Sequence, residues 1–144
     1  MEIAPLITRA VLTVEESDTL QDAAEWMMER GVGSAVVLRE GKPTGIVTDR
    51  DTLRIVAQGV DGSAVTVGDC LTRKLVTATP TMEVLDAARI MREKGFRHLV
   101  VVNEAGALEG LFSMRDLVVG LLQERDTAPR AEGAGTDGTG SATE

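Results

Sequence analysis

The chain repeats itself. Offset by 64 positions, residues 3–40 lie on 67–104, and one extra residue near Ala105 carries 41–53 onto 106–118. Sixteen of these 51 aligned positions are identical, among them Thr8/Thr72, Asp22/Asp86, Ala23/Ala87, Met27/Met91, Gly31/Gly95, Gly45/Gly110, Arg50/Arg115 and Asp51/Asp116. The single length change falls at a turn, where it costs little. A duplication constrains the fold more than any other feature here. Whatever the first copy builds the second builds too, and two small units gain stability by stacking on one another.

Each copy carries the same physical pattern. Leu20, Ala23, Ala24 and Met27 fall at i, i+3, i+4 and i+7, as do Val84, Ala87, Ala88 and Met91. That spacing predicts an amphipathic helix in each copy. Ser17 or Asp18 is suited to cap the first helix, and Thr79 with Pro80 to open the second. Gly31 and Gly95 stand where a left-handed C-terminal cap is wanted. The runs Ala35-Val36-Val37-Leu38 and Leu99-Val100-Val101-Val102 then read as buried strands. Turns follow, leading to third strands that start at Gly45 and Gly110. Second helices are expected from Asp49 to about Gln58 and from Met114 to about Glu124. A short strand at Val11-Leu12-Thr13 or Leu75-Val76-Thr77 precedes each unit. The class is α/β (α+β), with two tandem β-α-β-β-α units over 1–62 and 63–126. Each is marginal alone at roughly 60 residues. Packing the two sheets together would bury one shared core. Residues 127–144 have no large apolar side chain and read as a disordered acidic tail.

Composition removes several functions. With two Phe, one Trp and no Tyr among 144 residues, there are too few aromatic platforms for stacking single-stranded nucleic acid. The net charge of −8 argues against a phosphate-tracking surface, so no nucleic-acid partner is expected. No apolar run approaches the roughly 20 residues a bilayer requires, so no membrane association is expected. The start, Met1-Glu2-Ile3-Ala4-Pro5, has no basic region and no apolar run of the kind a secretory signal needs. Cys70 is the only cysteine and can form no internal disulfide. A cytoplasmic setting follows as the expectation. No nucleophile–base pair or metal-ligand cluster is visible, so the chain is expected to be no enzyme and to need no cofactor. Trp26 stands one step from the apolar stripe of its helix, a place suited to a subunit interface.

The informative spot is the end of each third strand. The first copy reads Gly45-Ile46-Val47-Thr48-Asp49-Arg50-Asp51, the second Gly110-Leu111-Phe112-Ser113-Met114-Arg115-Asp116. A hydroxyl beside the free amides of a helix N-terminus is a phosphate site. A carboxylate three residues on can accept both hydrogen bonds of a ribose diol, and Arg50 or Arg115 adds charge. Thr48-x-x-Asp51 and Ser113-x-x-Asp116 are also capping boxes. A cap and a ligand site are compatible, since a cap places the side chains that a ligand then uses.

On these residues the chain resembles the CBS-domain family: two β-α-β-β-α repeats, each with a glycine after its first helix, an apolar strand and a closing G-h-h-[T/S]-x-x-D. The resemblance covers about residues 3–123. It implies a CBS pair whose repeats pack sheet to sheet with pseudo-twofold symmetry, two composite clefts for adenosine-containing ligands (AMP, ADP, ATP, S-adenosylmethionine or NAD) and assembly as a homodimer. By that resemblance Ile46, Thr48 and Asp51 face Thr72, Leu75, Thr77, Arg97 and His98 in one cleft. Leu111, Ser113 and Asp116 face Thr8, Val11, Thr13, Ser34 and Ala35 in the other. Asp51 and Asp116 would hold ribose, Thr48 and Ser113 would approach phosphate, and Arg97 and His98 would add phosphate contacts. With so few aromatics, adenine is expected between aliphatic side chains and backbone. The implied role is regulatory, with a conformational shift sensed by a protein partner. The alternative is a ligand-free scaffold whose Thr/Ser–Asp pairs are only caps.

Overall fold

Leu20, Ala23 and Met27 in the first copy, and Val84, Ala87 and Met91 in the second, are buried along two matching helices. The computed structural model describes residues 1–71 and 75–127; the tail expected over 127–144 lies outside them apart from Thr127. In chain order the elements are β1 (Thr13–Glu15), α1 (Leu20–Arg30), β2 (Ser34–Arg39), β3 (Lys42–Thr48) and α2 (Asp49–Ala57). They continue with α3 (Val67–Cys70), β4 (Thr77–Ala78), α4 (Val84–Lys94), β5 (His98–Val102), β6 (Leu108–Ser113) and α5 (Met114–Thr127). Apart from the short α3 ahead of β4, each repeat is β-α-β-β-α, and each sheet has three strands in chain order, β1-β2-β3 and β4-β5-β6. The first two strands of each sheet run parallel and the last two antiparallel. Gly31 and Gly95 end α1 and α4 at φ of 65° and 72°, the left-handed conformation that a glycine adopts without steric cost.

The N-terminal signals of both first helices differ from expectation. Thr19, not Ser17 or Asp18, caps α1: its side chain accepts from the Asp22 amide at 3.0 Å. Asp18 is already engaged, because its carboxylate accepts from the Glu15 amide at 2.7 Å and closes the preceding turn. Glu83, not Thr79, is the N-cap of α4. Thr79 and Pro80 lie in a turn, with the Thr79 carbonyl accepting from Met82 and the Pro80 carbonyl from Ala4. The first strands begin at Thr13 and Thr77, about two residues later than expected, and α5 runs three residues further.

The interior is not one shared core. Ala35 and Val37 point from β2 into a cluster with Leu20, Met27, Val47 and Ile55, and Trp26 packs against this cluster half-buried. Leu99 and Val101 point from β5 into the matching cluster with Val84, Met91, Phe112 and Leu117. Val36 and Val100, between those pairs in sequence, face the opposite way and meet Leu111, Val11, Ile46 and Leu75 in a third, central layer. Successive strand residues alternate faces, so a strand buried on both sides feeds two cores. Each repeat thus has its own core, and the central layer joins them.

A backbone exchange reinforces this joint. The amide that opens α1 (Leu20) donates to the Val65 carbonyl at 3.1 Å, and the one that opens α4 (Val84) donates to the Met1 carbonyl at 2.8 Å. Ile3 donates to Met82 and Ala4 to Pro80, mirrored by Val67 to Asp18 and Gly68 to Glu16. The first eight residues therefore dock on the second repeat, although about 80 residues separate them from it, and Ile3 is fully buried in its core. The Met1 carbonyl gives the first amide of α4, which has no intrahelical acceptor, its partner.

Candidate functional site

The two G-h-h-[T/S]-x-R-D segments fold as strand-to-helix junctions. Thr48 ends β3 and Ser113 ends β6, and α2 and α5 start at the next residue. The Thr48 amide donates to Asp51 Oδ2 at 2.8 Å, and the Ser113 amide donates to Asp116 Oδ2 at the same distance. The Ser113 hydroxyl also bonds that carboxylate at 2.9 Å and accepts from the Asp116 amide. The caps expected from the spacing are thus made in both copies. They do not exhaust the carboxylates, since each oxygen has two acceptor positions. Asp51 Oδ1 accepts from Arg54 Nη2 at 3.1 Å, and Arg54 also donates to the Cys70 carbonyl at 2.7 Å. Val119 stands at the equivalent place in the second copy, so Asp116 has no such brace.

Around Thr48 and Asp51 the structure forms a cavity of about 400 Å³, lined by Ile46, Thr48, Arg50, Asp51, Gly95, Phe96, Arg97 and His98. One wall comes from the end of β3 and the start of α2, the other from the α4–β5 turn. The cavity is within the usual size range for a small-molecule site. Five of the residues expected to share a cleft (Ile46, Thr48, Asp51, Arg97 and His98) are together in it. Leu75 lies in the central apolar layer beside Ile46, and Thr77 is exposed on β4 opposite Val100. Thr72 lies outside the described residues.

One of the two phenylalanines, Phe96, lines this cavity beside Ile46. Its sequence signal was weak, because a residue after a capping glycine reads as loop. Burial pushes the His98 imidazole below its usual range; nearby Asp49 and Asp116 oppose that shift, and Arg97 adds to it. His98 is therefore neutral near pH 7.

In the second cleft, Thr8 and Leu111 exchange two backbone hydrogen bonds of 2.9 Å, so this pair meets as expected. Val11 joins Leu111 in the central layer, and Thr13 is on β1 opposite Val36. Ser34 is buried and pairs in register with Thr48. Ala35 does not present its side chain to the cleft, because that methyl lies in the core of the first repeat. The two clefts are wired to each other by backbone: Met114 donates to the Arg97 carbonyl at 2.8 Å, and Asp49 to the Gly33 carbonyl at 3.0 Å. Each helix N-terminus that frames one cleft thus holds the wall of the other.

Comparison with known proteins agrees with this architecture. The family model for the CBS domain matches residues 2–58 and again 67–122. The chain belongs to the CBS-domain family and carries two CBS repeats. It is 32% identical over 120 residues to the uncharacterized protein MK0525 of Methanopyrus kandleri, and 37% identical over 113 residues to the mitochondrial CBS domain-containing protein CBSX3 of Arabidopsis thaliana. These matches cover 82% and 74% of this chain but only 61% and 54% of those relatives. Among solved structures, a putative signal-transduction protein with CBS domains from Burkholderia ambifaria superposes with a TM-score of 0.79 at 30% identity, covering 87% of this chain and 96% of that one. The CBS domain protein PAE2072 of Pyrobaculum aerophilum, complexed with AMP, superposes with a TM-score of 0.78 at 32% identity, covering 89% of this chain and all of that one. Among the described residues no helix is long and apolar enough to cross a membrane, and no group of His, Cys, Asp and Glu is arranged to hold a metal ion.

Proposed function

We propose that the chain is a regulatory CBS pair that binds an adenosine-containing ligand, AMP foremost, between its repeats. The observation that carries this is the composite cavity. Thr48 and Asp51 come from the first repeat and Phe96, Arg97 and His98 from the second, so one ligand touches both. Asp51 Oδ2 accepts from the Thr48 amide and hydroxyl and Oδ1 from Arg54, which leaves an acceptor position on Oδ1 for a ribose hydroxyl. Thr48, beside the N-terminus of α2, and Arg97 suit a phosphate. The AMP complex of the similar Pyrobaculum protein supports the same ligand class. A ligand that bridges two repeats favours the closed arrangement by its differential affinity for it, and a protein partner senses that population. ADP, ATP, S-adenosylmethionine and NAD share the adenosine part and are the other candidates. The module performs no chemistry of its own in this reading and works in the cytoplasm.

We read the assembly as a homodimer. Met28, Leu53 and Val56 are exposed on α1 and α2 around an apolar groove of about 250 Å³, and Leu85, Val118 and Leu122 are exposed on the matching helices of the second repeat. Two such faces related by pseudo-symmetry suit a second copy of the same chain.

The capping bonds of Asp51 and Asp116 favour a second reading, a ligand-free scaffold. Thermal denaturation with each of the five ligands separates the two. At 100 times its Kd a true ligand stabilises the chain by about 2.7 kcal/mol, and Asp51→Ala with Asp116→Ala abolishes the effect. No shift with any of them leaves the scaffold.

A further inference from the structure

The helical faces of the two repeats are alike in shape but unlike in charge. Each has an apolar centre of exposed side chains, Met28, Leu53 and Val56 in the first repeat and Leu85, Val118 and Leu121 in the second. Three acids surround the first centre. Glu25 and Glu29 flank Met28 along α1, and Asp49 lines the groove between α1 and α2. At the offsets of the duplication, Glu25 becomes Arg89, Met28 becomes Arg92 and Asp49 becomes Met114, while Glu29 stays acidic as Glu93. All of these side chains are exposed. Asp22/Asp86 and Arg30/Lys94 keep their sign and do not distinguish the faces. The three exchanges all act in one direction: each makes the second face more positive than the first. Arg89 pairs with Asp86 at 2.8 Å, but both side chains are more than half exposed, so that pair is weak and leaves the guanidinium open to a second acid.

We infer that the second copy docks head to tail, with α1 and α2 of one copy on α4 and α5 of its partner. This rests on the homodimer reading and adds the orientation to it. The pseudo-symmetry of the chain makes the choice independent of the crossing angle. Every contact that two first repeats could make has a counterpart between a first and a second repeat. Head to head, Glu25, Glu29 and Asp49 would face their own copies, and Arg89 and Arg92 would face theirs. Head to tail, the acidic rim meets the arginine-bearing rim twice. The same apolar side chains are covered either way. Hydrophobic burial therefore drives association, and charge selects the orientation.

Cross-linking of the whole chain through matching positions tests this. Leu53→Cys and Val118→Cys each place one thiol at equivalent points of the two faces, and wild type, whose Cys70 is buried, is the control. Head to tail, a bismaleimide joins the two variants to each other after mixing and joins neither to itself, a mass tag on one of them identifying the product. Glu25→Arg puts like charges into both contacts and should raise the dimer Kd roughly tenfold, and adding Arg89→Glu should restore most of the loss. Both sites are exposed, so circular dichroism of the variants should match wild type. Variants that each cross-link to themselves and not to one another overturn the orientation, because that is the head-to-head pattern. So does a Glu25→Arg dimer as tight as wild type. A dimer by light scattering that yields no cross-link, mixed or unmixed, lies on other faces and overturns the inference as well. A chain that is monomeric by light scattering overturns the homodimer reading itself and the orientation with it.

Discussion

Gly45 and Gly110 stand at matching positions, and substituting each with alanine separates two kinds of contact. A Cβ at Gly110 would lie 2.5 Å from the Thr8 carbonyl oxygen, whereas one at Gly45 would lie 2.9 Å from Leu71 Cδ1. The leucine tip can rotate away. The Thr8 carbonyl cannot, because Thr8 and Leu111 are tied by two backbone hydrogen bonds of 2.9 Å. Breaking those two bonds costs about 1–3 kcal/mol, at roughly 0.5–1.5 each. Overpacking adds about 1–3 kcal/mol. The stiffer unfolded chain of the alanine variant returns about 0.4–1 kcal/mol. Gly110→Ala should therefore destabilise by about 2–4 kcal/mol. Gly45→Ala should cost no more than about 1 kcal/mol, because its overpacking is relieved by rotation and offset by the same unfolded-state effect. For a body of this size the gap is on the order of 10 °C in Tm. Urea unfolding followed by far-ultraviolet circular dichroism measures both. Equal losses in the two variants, or a larger loss at Gly45, would refute the claim that the strap of residues 1–8 holds the second sheet by rigid backbone contact.

Two further outcomes follow from the geometry. Burial lowers the His98 pKa in the folded chain, so the unfolded chain takes up the proton first as pH falls. His98 should therefore cost no stability above its unfolded value near 6.5, and progressively more as pH drops from there through the folded value. Urea midpoints between pH 5 and 8 should fall less steeply for His98→Asn than for wild type, and parallel profiles would remove His98 as the cause. For assembly, light scattering should give twice the chain mass for wild type and the single mass for Leu53→Glu, whose side chain is 69% exposed in the chain alone; a wild-type monomer at tens of micromolar would rule out the dimer.

The readable features share one property: their physics is local. The stripe of Leu20, Ala23 and Met27 needs only the 3.6-residue period, and Gly31 and Gly95 need only the αL geometry of a helix end. Asp51 and Asp116 could be singled out because a capping box is a four-residue pattern and the duplication shows it twice. Local pattern is ambiguous where neighbouring residues suit one role: Ser17, Asp18 and Thr19 are all of capping type, and the Asp18 carboxylate is taken by the Glu15 amide.

By itself, then, the sequence determined the repeat, its β-α-β-β-α order and the junctions where Thr48–Asp51 and Ser113–Asp116 stand. The tertiary structure decided which parts meet. Ile3 and Ile7 look like any apolar residues, yet they complete the core of a repeat far along the chain. Val36 and Val37 are neighbours of one type, and only the sheet's pleat sends one to the central layer and the other to a private core. Phe96 joins a cavity whose other wall is about 45 residues away, and Asp49 sits over Gly33 across a strand pairing. These contacts depend on the closing of long loops and on which faces stack, and no short-range propensity encodes them.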